Sequence, residues 1–120
     1  MDPIPEQQDG CFHVGDTLVA VYHNGRTRRT RFVRVTGVTR GKSLRVEELN
    51  RTSTEVYCNW QGGEWEIRLG EGVTGAKYLM RRSREGWSFY TKWMSQSGDR
   101  WFCFDRYDPQ ARYTDSTICD

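Results

Sequence analysis

Residues 17–49 decide the fold class, and they read TLVAVYHNGRTRRTRFVRVTGVTRGKSLRVEEL. They contain three runs rich in β-branched and aromatic side chains, which favour strands: residues 18–22, 31–38 and 44–49. Asn24 and Gly25 separate the first two runs, and both residue types tolerate the positive φ of a tight hairpin turn. Residues 40–42 are predicted to form a second turn. The stretch therefore predicts three antiparallel strands joined by two short connections.

Short strands are also predicted along the rest of the chain. Trp65, Ile67 and Leu69 alternate with polar residues, and this period of two is that of a strand with one buried face. Further strands are predicted at residues 56–60, 78–80, 87–93 and 101–104, with turns at 50–53 and 61–63 and a glycine-rich loop at 70–75. Apolar residues do not recur at the helical spacing, so we expect no substantial helix.

Strands spaced by about ten residues and separated by glycine-rich turns are typical of small barrels and sandwiches. We therefore expect an all-β fold, an SH3-like small barrel at about residues 11–70 with a C-terminal β-hairpin extension at about 76–114. Residues 11–120 form a single β-barrel domain in this prediction, and the polar residues 1–10 form a flexible N-terminal arm. A chain of 120 residues has room for one core of this kind.

The composition excludes several classes of protein. Five Trp, six Tyr and five Phe are too many aromatic residues for a disordered chain. No apolar run approaches the roughly 18 residues of a membrane span, and the first residues lack the basic and apolar segments of a classical secretory signal. We therefore expect no membrane association and no classical secretion. The four cysteines are then expected to be thiols, two or three of them in the core: Cys11, Cys58, Cys103 and Cys119.

The charge is distributed unevenly along the chain. The formal net charge is +2. Residues 26–51 contain nine basic and two acidic residues, so this block carries +7 and the remainder carries −5. A basic element on an otherwise acidic chain suggests an anionic partner, with nucleic acid as the first choice. The alternative is that these arginines form an ordinary solvated face.

The candidate binding residues combine arginines with aromatic side chains. The arginines surround the first hairpin and its return strand, where they would contact phosphate, and two more would extend the surface onto neighbouring strands: Arg26, Arg28, Arg29, Arg31, Arg34 and Arg45. Three aromatic residues would stack on bases if they are exposed: Tyr57, Tyr90 and Trp93. Core packing is the expected role of other aromatic residues: Phe32, Trp65, Trp87, Phe89 and Trp101.

Catalytic and metal sites have weaker support in the sequence. Cys11 and His13 would need two cysteines from distant strands to complete a zinc site, because the chain lacks the close cysteine pair of structural zinc sites. A thiol nucleophile would have to use one of two histidines near the N-terminus, and no nucleophile elbow or phosphate loop is present. We therefore expect no enzyme activity, no metal and no cofactor.

Several segments resemble a group of small, mostly uncharacterised phage and mobile-element proteins. They are VGDTLV at residues 14–19, RFVRVTGVT at 31–39, SLRV at 43–46, and the C-terminal WFCFD, DP and YT at 101–105, 108–109 and 113–114. The chain departs from that pattern in its first hairpin, where NGRTRR replaces an aromatic segment rich in Asp and Asn. The resemblance implies a small barrel of viral or mobile-element origin, and it implies no established activity.

Together these observations predict a non-catalytic binding module of viral or phage type. Its leading partner is nucleic acid, bound through the arginine-rich hairpin. The alternative is a minor virion structural or assembly protein that binds viral or host proteins or further copies of itself, and a small thiol or metal enzyme is the third choice. The expected location is the virion or the host cell cytoplasm.

Overall fold

The computed structural model describes residues 12–23, 25–39, 43–83, 86–90 and 103–118. These residues form seven strands and no helix, so the all-β prediction is confirmed. The strands are β1 (Thr17–His23), β2 (Thr27–Thr39), β3 (Ser43–Asn59), β4 (Gly62–Ser83), β5 (Gly86–Tyr90), β6 (Cys103–Arg106) and β7 (Tyr113–Ile118). The described residues contain no helix that could cross a membrane.

The strands belong to one antiparallel sheet in the order β3-β4-β7-β2-β1-β6, with β5 paired to β4. β2 is central because it pairs with β1, β3 and β7. β3 also pairs with β4, and β4 pairs with β7. The four pairings β2–β3, β3–β4, β4–β7 and β7–β2 therefore form a circuit that begins and ends at β2.

β3 and β4 form one long hairpin, which corrects two predictions. The predicted turn at residues 50–53 and the predicted loop at residues 70–75 both lie within strands. Irregularities in the pairing, including shifts on either side of Leu49, absorb these residues without ending the strands. Gly72 and Gly75 have φ values of 79° and 97°, and only glycine adopts such values in a strand without strain.

The C-terminal strands join the same sheet. β5 pairs with β4, β6 pairs with β1, and β7 lies between β4 and β2. Residues 91–102 of the predicted hairpin extension and the predicted arm at residues 1–10 lie outside the described residues.

The core consists of two apolar clusters on opposite faces of β1 and β2. Successive residues of a strand point to opposite faces, so Leu18 and Val33 belong to the first cluster while Val19 and Phe32 belong to the second. The first cluster also contains Phe12, Ala20, Val35, Leu44, Val46 and Met80, and the second also contains Leu49 and Ile67. The two faces of β2 carry different side chains, Val33 and Val35 on one and Phe32 on the other, so a slip of one residue would place each in a cluster that it does not fit.

Aromatic side chains from the C-terminal part close the second cluster. The rings of Tyr107 and Tyr113 contact Phe32 edge to face, with centroids 5.5 and 5.6 Å away. Phe32 is fully buried and Trp65 packs against the cluster, as predicted for these two residues. The side chains of Trp87, Phe89 and Trp101 lie outside the described part of the chain.

Candidate functional site

Two of the predicted anion-binding arginines contact β7 of the protein itself. Arg28 donates hydrogen bonds to the carbonyl oxygen and the hydroxyl oxygen of Thr114. The Nη1 atom of Arg29 lies 3.8 Å from the carboxylate of Asp115. Both arginines are on β2, so these contacts hold β2 against β7.

Two more predicted arginines pair with acidic residues of β3. Arg31 Nε lies 3.5 Å from a carboxylate oxygen of Glu48, and Arg34 Nη1 lies 4.0 Å from one of Glu47. Arg31 shares a face of β2 with the buried Val33, whereas Arg34 lies on the other face. The arginines of β2 are therefore divided between two faces of the sheet.

Arg34 and Arg45 do share a face, and Lys77 joins them there. Arg34 and Lys77 are the cross-strand neighbours of Glu47 on β2 and β4, and Arg45 precedes Glu47 by two residues on β3. A Cβ on Gly37 would lie 3.6 Å from the Cβ and Cδ of Arg45, so the Arg45 side chain lies against this glycine. We call Arg34, Arg45 and Lys77 the basic face; all three are exposed, and they surround one acidic residue.

The remaining predicted site residues are dispersed. Arg26 is exposed in the turn before β2, and its carbonyl oxygen accepts the N–H of Ile118 at 2.9 Å. Tyr57 is 50% exposed on β3. Tyr90 is the last residue of β5, whose backbone pairs with β4, and Trp93 lies outside the described residues.

A buried carboxylate joins three strands where β2 changes partners. Thr30 lies between the part of β2 that pairs with β7 and the part that pairs with β3. Its N–H donates to Asp115 Oδ1 at 2.7 Å. Arg51 Nη1 donates both to Asp115 Oδ2 at 2.5 Å and to the carbonyl oxygen of Thr30 at 2.9 Å. We call these three residues the seam.

The seam is a structural site. Asp115 is 3% exposed, and a buried charge of this kind is stable only with an ionic partner and satisfied hydrogen bonds. Arg51 is the ionic partner, and the hydrogen bonds of the seam also satisfy the backbone N–H and C=O groups of Thr30. These two groups lie between the part of β2 that pairs with β7 and the part that pairs with β3.

The end of the β3–β4 hairpin exposes apolar side chains. Trp60 is 84% exposed, and Val56 and Tyr57 are 47% and 50% exposed. The turn is ordered locally, because the side-chain oxygen of Asn59 accepts the N–H of Gln61 at 2.8 Å. Large apolar side chains therefore project into solvent from a defined turn.

β7 ends beside this turn. Ile118 is 55% exposed and pairs with Gly62. Gly62 has a φ of 143°, and a Cβ there would collide with the backbone oxygen of Thr117, so the close approach of β7 requires glycine. We call Val56, Tyr57, Trp60 and Ile118 the hairpin patch.

The outer edge of β3 next to the patch lacks a strand partner among the described residues. β2 pairs with β3 only as far as Leu49, and residues 51–59 pair only with β4. All nine residues are exposed. We call residues 51–59 the open edge. An edge of this length offers backbone N–H and C=O groups to another chain.

Two titratable groups have displaced pKa values. Burial raises the pKa of the Asp16 carboxyl. The backbone N–H of His13 and the guanidinium of Arg106, each with its nitrogen 2.8 Å from Oδ2, lower the pKa by more, so the net pKa lies below the ordinary value of 3.8. Burial and the Glu48 carboxylate raise the pKa of Tyr78, against the opposing effect of Arg31. Asp16 and Tyr78 both take part in contacts that hold strands and turns together.

The described residues contain no group of three or more His, Cys, Asp or Glu side chains that could hold a metal ion. Cys58 is a free, exposed thiol on the open edge rather than a core residue. The side chain of Cys103 and the whole of Cys11 and Cys119 lie outside the described part of the chain.

Sequence reasoning did not single out Trp60 or Asp115. The signal for Trp60 was a tryptophan directly before Gln61-Gly62-Gly63, since a side chain beside a hairpin turn has few neighbours to cover it. Asp115 had no comparable signal, because its partners come from residues 64 and 85 positions away.

Comparison with protein-family models, with curated proteins and with solved structures gave no match.

Proposed function

We propose that the protein is a non-catalytic binding module whose partner is another protein, and that the partner contacts the hairpin patch. The 84% exposure of Trp60 is the observation that carries the proposal. Tryptophan is seldom left this exposed, and it is enriched among the residues that dominate binding energy at protein interfaces. Val56 and Tyr57 near the end of β3 and Ile118 at the end of β7 add further exposed apolar side chains close to the turn, which favours an apolar protein contact.

The resemblance to phage and mobile-element proteins adds the class of partner. It favours a virion structural or assembly component that binds a viral or host protein. The turn supports this role, because the hydrogen bond between Asn59 and Gln61 orders its backbone before a partner binds, which lowers the entropy cost of binding.

We further propose that the strands form an SH3-like small barrel. The support is the circuit of pairings through β2, β3, β4 and β7, in which the seam occupies the junction. Because β7 takes part, such a barrel would use residues 113–118 in addition to the predicted residues 11–70.

Photo-crosslinking tests the proposed protein contact. A photoreactive phenylalanine analogue replaces Trp60 in the full chain, and the same analogue replaces Arg68 in a control, because the Arg68 side chain is 74% exposed on β4. We expect position 60 to capture one defined protein in the producing cell and position 68 to capture little. The captured protein is then purified, and its affinity for wild type and for Trp60→Ala is measured by calorimetry.

We expect Trp60→Ala to weaken that complex by about 2 kcal/mol, or about 30-fold, as is typical of an aromatic hot spot. Equal capture at both positions would contradict the proposal, and so would a Trp60→Ala variant that binds the purified partner as tightly as wild type.

Nucleic acid is the second candidate partner, and the basic face is the observation that favours it. Its three cations carry an excess of two positive charges on one exposed surface, so phosphate contacts there would give salt-dependent binding. Anisotropy with labelled single- and double-stranded DNA and RNA at several salt concentrations tests this. The triple variant Arg34→Ser, Arg45→Ser, Lys77→Ser should have a shallower salt dependence than wild type. Absence of binding at low salt excludes this candidate.

A further inference from the structure

The open edge begins with a segment that is complementary to itself. Residues 51–55 read RTSTE. An antiparallel copy of the segment reads ETSTR, so Arg51 faces Glu55 of the second copy and Glu55 faces its Arg51. Thr52 faces Thr54 of the second copy in the same way, and Ser53 faces Ser53 of the second copy. Opposite charges and paired threonines are favourable neighbours across antiparallel strands.

The pairing of β3 with β4 limits this segment to the same five residues. The register shifts between Leu49 and Arg51, and it shifts again between Glu55 and Tyr57. The pairing is therefore regular from Arg51 to Glu55, and the extra β3 residue between Glu55 and Tyr57 ends the regular alternation of side chains there. The midpoint of the regular segment is Ser53.

Only an axis at Ser53 uses the whole regular segment. A two-fold axis perpendicular to the sheet keeps each side chain on its own face, so paired residues must share a face. An axis at Glu55 would place two carboxylates opposite each other, which is destabilising. An axis at Thr54 would pair Arg51 with Tyr57, which the register shift turns to the other face.

The groups needed for this contact are available. All five residues are exposed, and among the described residues Glu55 makes no ion pair. Arg51 uses Nη1 for Asp115 and Thr30, and its side chain remains 34% exposed. A guanidinium has five N–H donors, so the others can reach a carboxylate across the axis.

We propose that a second copy of this chain pairs with residues 51–55 of the open edge, antiparallel and about a two-fold axis at Ser53, so that the two sheets become continuous. The contact goes beyond the proposed function, because the hairpin patch lies outside the paired residues and remains available to another protein. The regular segment is about 17 Å long, so the interface is small and the dimer depends on protein concentration.

Sedimentation equilibrium over a wide range of concentrations tests the dimer. Glu55→Arg places arginines opposite each other twice in every dimer, and we expect it to raise the dissociation constant about 30-fold. Glu71→Arg is the control, since it makes the same change of charge at an exposed position of β4, the strand on the opposite side of β3 from the paired edge. A wild type that stays monomeric, or equal effects of the two variants, would overturn the proposal.

Disulfide trapping tests the register. Ser53→Cys in a Cys58→Ser background brings two thiols together at the axis, where opposite Cβ atoms are about 4.5–5.5 Å apart. We expect rapid oxidation to a dimer joined through position 53, and much slower oxidation of Glu71→Cys in the same background. Equal rates would overturn the register. Crosslinking at position 60 reports on the hairpin patch, so failure of the dimer and failure of the proposed function give different results.

Discussion

Replacing Asp115 with asparagine removes the charge from the seam while preserving the shape of the side chain. The amide oxygen of the new residue can still accept the N–H of Thr30, but its NH₂ group then faces Arg51 Nη1. The charge-assisted bond at 2.5 Å is lost, and two donors meet in its place. Such a bond contributes roughly 1.5–3 kcal/mol, and the partial exposure of Arg51 lets water recover part of this. We expect Asp115→Asn to lower the free energy of unfolding by about 2 kcal/mol.

Asp115→Ala should cost more, because it also leaves the N–H of Thr30 without an acceptor. An unsatisfied buried N–H adds roughly 1–3 kcal/mol, so we expect a total loss of about 4 kcal/mol. Domains of this size are stable by roughly 5–15 kcal/mol. The alanine variant should therefore be close to unfolding, and the asparagine variant is the better subject for quantitative work.

Urea unfolding followed by tryptophan fluorescence measures these losses, and a double-mutant cycle assigns them. Asp115→Asn, Arg51→Met and the double variant should show a coupling energy of about 1–2 kcal/mol. Arg68→Met is the control, because it removes an exposed ion pair with Glu66 and should change stability by less than about 0.5 kcal/mol. A stability of Asp115→Asn within about 0.5 kcal/mol of wild type, or strictly additive single effects, would refute the role of the seam.

Three further predictions concern single contacts. The lowered pKa of Asp16 makes its ionised form stabilising, so wild type should lose stability as the pH falls below about 4 and through the folded pKa. Asp16→Asn should lack this contribution. Urea unfolding between pH 7 and pH 2 measures the difference, and parallel pH profiles of the two proteins would count against the prediction. Gly62→Ala should lower the melting temperature by more than roughly 8 °C, about 2 kcal/mol, because the added Cβ collides with β7. Calorimetry measures the change, and a melting temperature equal to that of wild type would show that β7 can move aside. Arg28→Ser should destabilise the fold by about 1–2 kcal/mol, because its hydrogen bonds to Thr114 of β7 are lost. Arg45→Ser is the control and should be nearly neutral. Equal stability of the two variants in urea would argue against the contact between Arg28 and β7.

The strand pattern of the first half of the chain could be predicted from local sequence. β1 and β2 follow the β-branched runs, and the turn at Gly25 has the positive φ that its sequence suggested. The length of β3 and β4 could not be predicted in the same way. Polar residues at 50–53 and glycines at 70–75 are typical of turns, and only the pairing of the two strands shows that bulges accommodate them.

The roles of the arginines depend on contacts between distant residues. The sequence shows that Arg28, Arg29 and Arg31 are close together along the chain, but not that Thr114, Asp115 and Glu48 lie beside them. Register and strand order place those partners, and neither is encoded within the hairpin. A variant that removes the first-hairpin arginines together would therefore disturb the attachment of β7, so the basic face is the better place to test nucleic-acid binding.

Binding of the purified partner captured at position 60 is the most direct test of the central claim that the hairpin patch contacts a protein. Calorimetry should compare wild type, Trp60→Ala and the triple variant of the basic face, each first shown to unfold at the same urea concentration. We predict about 30-fold weaker binding for Trp60→Ala and unchanged binding for the triple variant. Unchanged binding of Trp60→Ala together with weaker, salt-dependent binding of the triple variant would contradict the claim and would place the contact on the basic face.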